Sequence, residues 1–173
     1  MRGPGSPQLQ VRRARRKTAW QCYLAHSSMF ASTFVWERPN LSANIKLGEA
    51  VASGDFSLFD QVFAPAVIDH DPAPDQGPGP QGFKKFFTMM RSAFPDLRVS
   101  VDHLVQTETD IAMAYTIHGT HKGEFAGIGP TGKAITARGV QIARFENGQI
   151  IERWGSSDEL GILKQLGAKV GPG

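Results

Sequence analysis

Cysteine is nearly absent from this sequence: Cys22 is the single thiol among 173 residues. One cysteine cannot form an intramolecular disulfide, and it cannot assemble a zinc site from thiolates. Runs of about 18 consecutive apolar residues are also missing, so the sequence contains no candidate for a membrane-spanning helix. There is no internal repeat and no heptad pattern. Together these absences indicate one ordinary globular domain without a membrane partner.

Acidic residues are missing from the N-terminal segment. Residues 1–36 contain six of the 19 Lys and Arg residues and none of the 16 Asp and Glu residues. The net charge of +3 and the isoelectric point near 9.2 therefore come from this segment, and nothing downstream continues a basic surface. Such a segment is typical of a disordered extension, an organelle transit peptide or a nucleic-acid-binding arm, and we favour the first.

This composition divides the chain into three parts. We predict a basic leader over residues 1–39, a folded domain over residues 40–168 and a short tail over residues 169–173. The domain itself carries a small acidic excess, so nucleic acid is not an expected partner. We expect a cytoplasmic protein, with import into an organelle through the leader as the alternative.

Motifs for phosphate binding and covalent catalysis are missing as well. The GPGP stretch at 77–80 has no following lysine and no strand-to-helix setting, so it does not match a phosphate-binding loop. No serine lies in a nucleophile elbow. His118 and His121 are three residues apart on a predicted strand, which directs their side chains to opposite faces. We therefore predict no metal site.

The first part of the domain has the apolar spacing of helices. Apolar residues recur every three or four positions over residues 40–51, with Asn40 or Ser42 as the expected N-cap. A shorter helical segment over residues 56–63 is expected to end before Pro65, which cannot continue a helix. The sequence therefore begins the domain with two helical segments.

A loop and an aromatic helix precede the strands. Residues 72–82 contain too many prolines and glycines for a regular element, and an amphipathic helix follows over residues 83–94. The period then changes to two, with alternating stretches over residues 97–102, 111–120 and 134–145. This pattern predicts a run of antiparallel strands.

The C-terminal part closes the predicted sheet. Residues 146–149, Glu-Asn-Gly-Gln, are typical of a hairpin turn between two strands. Residues 150–154 are the expected last strand, and residues 160–166 form a short final helix. The predicted fold class is α+β, in which N-terminal helices pack on a curved antiparallel sheet and a short helix ends the chain.

Five short motifs occur in a fixed order within the predicted domain. They are His70-Asp71-Pro72, Phe94-Pro95-Asp96-Leu97, GTHKGEFAGIGPTGK at 119–133, FENGQIIERWGSSD at 145–158 and LKQLG at 163–167. In this order they resemble the SnoaL-like polyketide cyclase, or ester cyclase, family over roughly residues 41–167. The resemblance implies the cone-shaped α+β roll shared with ketosteroid isomerase and nuclear transport factor 2, with a hydrophobic pocket inside the cone.

The resemblance also implies a homodimer and a cofactor-independent reaction. Characterised cyclases of the family close a ring by an intramolecular aldol reaction, which needs one group to move a proton and an apolar cavity that excludes water. The expected function is therefore cyclase, isomerase or hydrolase-type proton transfer on a small hydrophobic carbonyl or polyketide-like compound. The alternative is a non-catalytic module of the same fold, which binds a small ligand or only a dimer partner.

The sequence departs from the family pattern at two positions. The resemblance places the acid/base aspartate of the antibiotic cyclases at Gly155 and a histidine of the preceding strand at Gln141. Neither residue can transfer a proton. Asp158 matches a second aspartate three residues after the first, so a carboxylate is still present near the end of the last strand.

Three residues are candidates for catalysis, and each has a structural alternative. Asp158 could act as a general acid/base, or it could cap the final helix. His70, which has aspartates on both sides in sequence, could accept a proton or form an ordinary hydrogen-bonded corner. His118 is the third candidate, and at most one of His118 and His121 is expected to enter the cavity.

Six residues are candidates for substrate binding. Tyrosine and tryptophan combine an apolar ring with a polar edge, and glutamine can hydrogen-bond a ligand carbonyl. The same aromatic residues could equally be plain core. The candidates are Tyr115, Gln141, Trp154, Phe86, Met90 and Phe125.

Overall fold

The computed structural model describes residues 39–169, so the predicted leader and tail lie almost entirely outside the described residues. Helix α1 spans Pro39–Ser53 and buries one apolar side, as its spacing predicts. The predicted N-cap is wrong, because the helix already begins at Pro39. The Asn40 amide instead donates a hydrogen bond to the backbone oxygen of Glu108 at 2.8 Å.

An aromatic segment connects α1 to the sheet. A 3-10 turn covers Phe56–Leu58, helix α2 covers Phe59–Val62, and strand β1 follows directly over Phe63–Asp69. The prediction that helix continues to residue 63 and that Pro65 ends it is therefore wrong. Pro65 lies inside β1, and this is tolerated because β1 is an edge strand with amide positions that need no partner.

Helix α3 spans Gly79–Ala93 and carries the predicted aromatic side. The loop predicted over residues 72–82 is too long, because the helix begins at Gly79. Pro80 fits the first turn of a helix, where the missing N–H would have no acceptor in any case. Gly82 is needed here, since a Cβ at this position would lie 2.9 Å from the backbone oxygen of Gln76.

Five strands form one curved, open sheet in the order β1-β5-β4-β3-β2. The other strands are β2 (Arg98–Gln106), β3 (Asp110–Thr120), β4 (Ala134–Glu146) and β5 (Gln149–Ser157). Strands β2 to β5 pair antiparallel, whereas β1 joins β5 in parallel. The α+β class is confirmed, and the parallel edge strand makes the sheet mixed.

The predicted hairpin at residues 146–149 joins β4 to β5. Asn147 and Gly148 both have positive φ, 50° and 77°, as a two-residue type I′ turn requires. Strand β5 continues three residues beyond the predicted end at Trp154. Helix α4, Glu159–Leu166, then packs on β4. Among residues 39–169, no helix is long and apolar enough to cross a membrane.

The sheet has two chemically different faces. The inner face packs against the helices and contains the buried side chains of the odd-numbered residues on β3 and β4, which include Ile111, Tyr115, Ile135 and Ala143. The outer face contains the even-numbered residues, and on β4 all of these are exposed. This alternation follows from the period of two in a strand. The alternation determines which of the predicted site residues lie on the same face of the sheet.

Candidate functional site

Two glycines on the inner face each lie beneath a polar side chain. A Cβ at Gly139 would be 2.5 Å from Cζ of Tyr115, and a Cβ at Gly155 would be 2.7 Å from Cζ of Arg153. Gly139 and Gly155 therefore leave the space that the two larger side chains occupy. We call Gly139, Gly155 and the polar groups directly above them the glycine floor.

Tyr115 supplies a buried hydroxyl to the glycine floor. The residue is 7% exposed, and its hydroxyl forms a 2.9 Å hydrogen bond with Oγ of Ser157 on β5. Two hydroxyl groups that share one hydrogen bond use one of their two O–H donors. The other O–H remains available to an acceptor above the glycine floor.

Arg153 supplies a guanidinium held by a buried carboxylate. Its Nη1 donates to Oδ1 and Oδ2 of Asp69 at 2.9 and 3.3 Å, and the side chains are 17% and 7% exposed, respectively. Gln76, 6% exposed, donates to Oδ2 of Asp69 at 2.8 Å. These bonds satisfy the buried carboxylate and fix the guanidinium in one position.

The remaining nitrogens of Arg153 face the centre of the site. Nε donates to Oε1 of Gln141 at 3.4 Å, and Nη2 lies over Gly155 without an acceptor among residues 39–169. Asp71, in the loop after β1, accepts a 3.0 Å hydrogen bond from the backbone N–H of Gly155. A positive group therefore occupies the position at which the family resemblance implies a carboxylate.

His70 and Trp154 lie on the outer face. Their rings stack with centroids 4.4 Å apart, and Nε2 of His70 is 2.9 Å from Oε2 of Glu152. Trp154 pairs in register with Ile142, an exposed outer-face residue, whereas its neighbours Arg153 and Gly155 point inward. The structure thus does not bring the predicted proton acceptor or the predicted lining tryptophan to the inner face.

His118 on β3 and His121, the residue after the end of β3, have opposite orientations, as the strand period predicts. His118 lies on the outer face, where Oγ1 of Thr136 is 3.4 Å from its Nδ1. His121 is fully buried, and its Nδ1 accepts a 3.2 Å hydrogen bond from the backbone N–H of Thr131. The proton must therefore reside on Nε2, which has no partner in the described part of the chain. His121 is the inward histidine, so His118 is not placed near Tyr115.

Asp158 has the geometry of a helix cap. Its Oδ1 accepts a 2.8 Å hydrogen bond from the backbone N–H of Gly161, and the residue is exposed at the start of α4. The three candidates for catalysis, His70, His118 and Asp158, therefore do not meet at one place. A catalytic role for each stays a prediction that the geometry does not support.

Removal of the Asp158 cap gives the first testable prediction. Asp158→Ala should lower the free energy of unfolding by about 0.5–2 kcal/mol, because one amide of the first helical turn loses its acceptor. Asp158→Asn keeps an acceptor oxygen and should change stability little. Urea denaturation of both variants measures the difference. Equal losses in the two variants would contradict the cap.

The apolar lining candidates occupy different depths. Met90 on α3 is 5% exposed and belongs to the core, and Phe86 is partly buried against that core. Phe125 lies in the loop between β3 and β4, with its ring centroid 5.3 Å from that of Phe94. Of the six predicted binding residues, Tyr115 and Gln141 are therefore the two that the glycine floor brings together.

Sequence reasoning missed the residues that organise this site. Arg153 was not a candidate, Asp69 entered only as a sequence neighbour of His70, and Gly155 was treated only as the loss of a carboxylate. A useful signal was present, because glycine inside a strand marks a place where another group approaches closely. Among residues 39–169 no three His, Cys, Asp or Glu side chains are grouped so that they could hold a metal ion.

The comparisons with known proteins agree with the fold. A family model described as SnoaL-like polyketide cyclase matches residues 43–166. IdmH of Streptomyces antibioticus, described as a candidate polyketide cyclase, is 30% identical with a TM-score of 0.66, covering 75% of this chain and 99% of that one. TsrD of Streptomyces laurentii is 24% identical with a TM-score of 0.70, covering 79% and 100%. No curated protein matches significantly. The chain belongs to the SnoaL-like polyketide cyclase family.

Proposed function

We propose that the protein binds a small hydrophobic carbonyl compound over the glycine floor and catalyses a cofactor-independent proton transfer on it, of the cyclase or isomerase type. One observation carries this proposal. A guanidinium and a hydroxyl donor are each held over a glycine, on a face whose other buried side chains on β3 and β4 are apolar. The similarity to IdmH and to the family model supports the same class of substrate.

The two donors are arranged to receive a developing negative charge. Gly139 on β4 and Gly155 on β5 do not face each other directly. Gly139 pairs with Ser157, and Gly155 pairs with Gln141, two residues further along β4. The two glycines are thus offset by two residues on neighbouring strands, and the hydroxyl and the guanidinium each lie over one of them. When a proton leaves the carbon beside a carbonyl, the charge moves to oxygen, and preorganised donors in a buried site stabilise it.

A phenol and a ketone of the same bicyclic carbon skeleton test the proposal. 2-Naphtholate resembles the enolate of 2-tetralone, so we expect the protein to bind 2-naphthol preferentially in its ionised form, measured by absorbance titration. We also expect the protein to accelerate exchange of the α-hydrogens of 2-tetralone for deuterium, measured by NMR. Binding of naphtholate without faster exchange would indicate the non-catalytic binding module.

Adjacent hydroxyls on β3 provide a matched control. Tyr115→Phe removes the inner-face hydroxyl and should weaken naphtholate binding about tenfold or more, since hydrogen bonds to charged groups are the stronger class. Thr116→Val removes the next hydroxyl, which bonds Asp102 on the outer face at 2.7 Å. The second variant should leave binding unchanged. Equal effects of the two variants, or no binding by the native protein, would contradict the proposal.

We also propose that two copies pair through the outer face of the sheet. This face exposes apolar side chains on three of the five strands: Ile68 on edge strand β1, Val140 and Ile142 on β4, and Val105 on edge strand β2, each 46–58% exposed. Val105 pairs with Ala112 and Ala112 with Ile142, so small or apolar residues continue across β2, β3 and β4. A contiguous exposed apolar patch is typical of an interaction surface, and a two-fold axis would place the same patch on both copies. Charged residues border this patch, and Asp110 and Arg144 are two of them. The hydrogen bond from the Thr109 hydroxyl and, secondarily, Arg144 lower the pKa of the Asp110 carboxyl.

The proposed dimer gives a further testable prediction. Sedimentation at micromolar concentration should show twice the chain mass of 18.8 kDa. Ile142→Lys should convert this species to a monomer, because it places a charge in the middle of the apolar patch that the dimer would bury. Leu160→Lys is the control, since Leu160 is equally exposed, 47%, but lies on α4. A monomeric native protein would contradict the proposed interface.

A further inference from the structure

The proposed proton transfer needs an acceptor beside the glycine floor, and two carboxylates are close to it. Asp69 is already occupied, because its oxygens accept hydrogen bonds from Arg153, from Gln76 and from the backbone N–H of Asp71. A carboxylate that is buried and fully bonded in this way is poorly placed to take a proton from a ligand. Asp69 therefore orients Arg153, and the acceptor has to be another group.

Asp71 is the second carboxylate. Its Oδ2 accepts the 3.0 Å hydrogen bond from the Gly155 N–H, and its other oxygen accepts no hydrogen bond from residues 39–169. The residue is exposed, so this oxygen is accessible at the rim of the site. Resting on the function proposed above, we propose that Asp71 is the catalytic residue that accepts and returns the proton of a substrate bound over the glycine floor.

The parallel pairing of β1 with β5 explains how Asp71 reaches this position. Asp69 pairs in register with Arg153, and the chain that continues for two residues brings Asp71 beside Gly155. Arg153 also donates to the backbone oxygen of Asp71 at 3.4 Å, which ties the loop to the sheet. The missing side chain of Gly155 leaves the space that the Arg153 guanidinium occupies, and Asp71 binds the backbone N–H of the same residue. The loop after β1 thus supplies a carboxylate where β5 has none.

The reaction balances without a further reactant. Asp71 takes a proton from the carbon next to the substrate carbonyl, and the electron pair of that C–H bond forms the C=C bond of an enolate. Its oxygen faces Nη2 of Arg153 and the remaining O–H donor of the Tyr115–Ser157 pair. The enolate carbon then forms a C–C bond with a second carbonyl carbon of the same molecule, and the resulting alkoxide recovers the proton from Asp71. Nothing is oxidised, reduced or consumed.

The alternative role of Asp71 is structural, because its carboxylate satisfies the free amide at the edge of β5. Asp71→Asn separates the two roles, since asparagine keeps the acceptor oxygen for Gly155 N–H but cannot accept a proton. Asp75→Asn is the matched control. Asp75 is exposed in the same loop with φ of 58°, which asparagine tolerates, so this variant removes one negative charge and no proposed function.

The decisive measurements use 2-tetralone and 2-naphthol on the full chain. Asp71→Asn should slow α-hydrogen exchange of 2-tetralone by about 10²–10⁴-fold, as expected for loss of a general base. It should also tighten naphtholate binding by about fivefold, because a like charge beside the bound oxygen is gone. The melting temperature of Asp71→Asn should match that of the native protein. The control Asp75→Asn should bind naphtholate and exchange tetralone hydrogens as the native protein does.

Two different failures can be told apart. If the native protein binds naphtholate and exchanges tetralone hydrogens, and Asp71→Asn does both equally well, the role of Asp71 is overturned while the proposed function stands. If the native protein neither binds naphtholate nor accelerates exchange, the proposed function itself fails, and the role of Asp71 fails with it. Exchange lost together with the folded state, seen as a collapsed melting transition, would support the structural role alone.

Discussion

Arg153→Met is expected to lower the free energy of unfolding by about 3–5 kcal/mol, the usual cost of removing one partner of a buried ion pair. The reason lies in Asp69, whose side chain is 7% exposed and would lose the guanidinium that is its ionic partner. Gln76 would still donate one hydrogen bond to Asp69, but a neutral amide does not replace the positive charge. Methionine has a similar length and fills the apolar part of the space.

Controls separate this effect from ordinary loss of packing. In Asp69→Asn/Arg153→Met both charges are gone, so the double variant should recover much of the stability that Arg153→Met loses, and the cycle measures the coupling. Lys84→Met removes a partner of the surface pair with Asp60, whose carboxylate side chain is 59% exposed, and should cost about 0–1 kcal/mol. Urea denaturation of the native protein, Arg153→Met, Asp69→Asn and the double variant completes the cycle, and Lys84→Met is measured beside them. Similar losses for Arg153→Met and Lys84→Met would show that the inner pair is not effectively buried.

The parts of the fold that the sequence predicts correctly depend on local patterns. The aromatic spacing of α3 and the alternation in β3 and β4 are properties of consecutive residues, and so is the Asn147-Gly148 turn. Strand β1 was not predicted as part of the sheet. Its parallel pairing with β5 joins residues about 80 positions apart, which periodicity cannot reveal.

The site was harder to predict because strand face and side-chain direction both matter. Tyr115 and Trp154 looked equally suitable as lining residues, but their registers place them on opposite faces of the sheet. Gly155 looked like the loss of a functional group. Its meaning becomes clear only when Arg153 is seen to lie over it and Asp71 is seen to bind its amide. Those contacts connect elements that are distant in sequence.

The position of β1, which presents Asp69 and leads to Asp71, depends on an aromatic core beneath its first residues. Phe59 is fully buried, and its ring centroid lies 5.2 Å from that of Phe56, 5.4 Å from that of Phe63 and 5.5 Å from that of Phe87. Phe63 is the first residue of β1 and also stacks on Phe83 of α3 at 4.1 Å. Phe59 thus lies where α2, α3 and β1 meet, and water does not reach its side chain.

Phe59→Ala should therefore lower the free energy of unfolding by about 3–5 kcal/mol, from lost apolar burial and from the cavity left among rings that cannot all collapse inward. Phe59→Leu keeps most of the volume and should cost clearly less. Phe56→Ala is a second comparison, because Phe56 is only partly buried at the margin of the same cluster. Urea denaturation should show the largest loss of unfolding free energy for Phe59→Ala and smaller losses for Phe56→Ala and Phe59→Leu. If Phe59→Ala cost no more than Phe56→Ala, the aromatic cluster would not be what holds β1 against α3, and the placement of Asp71 would have to depend on the sheet pairing alone.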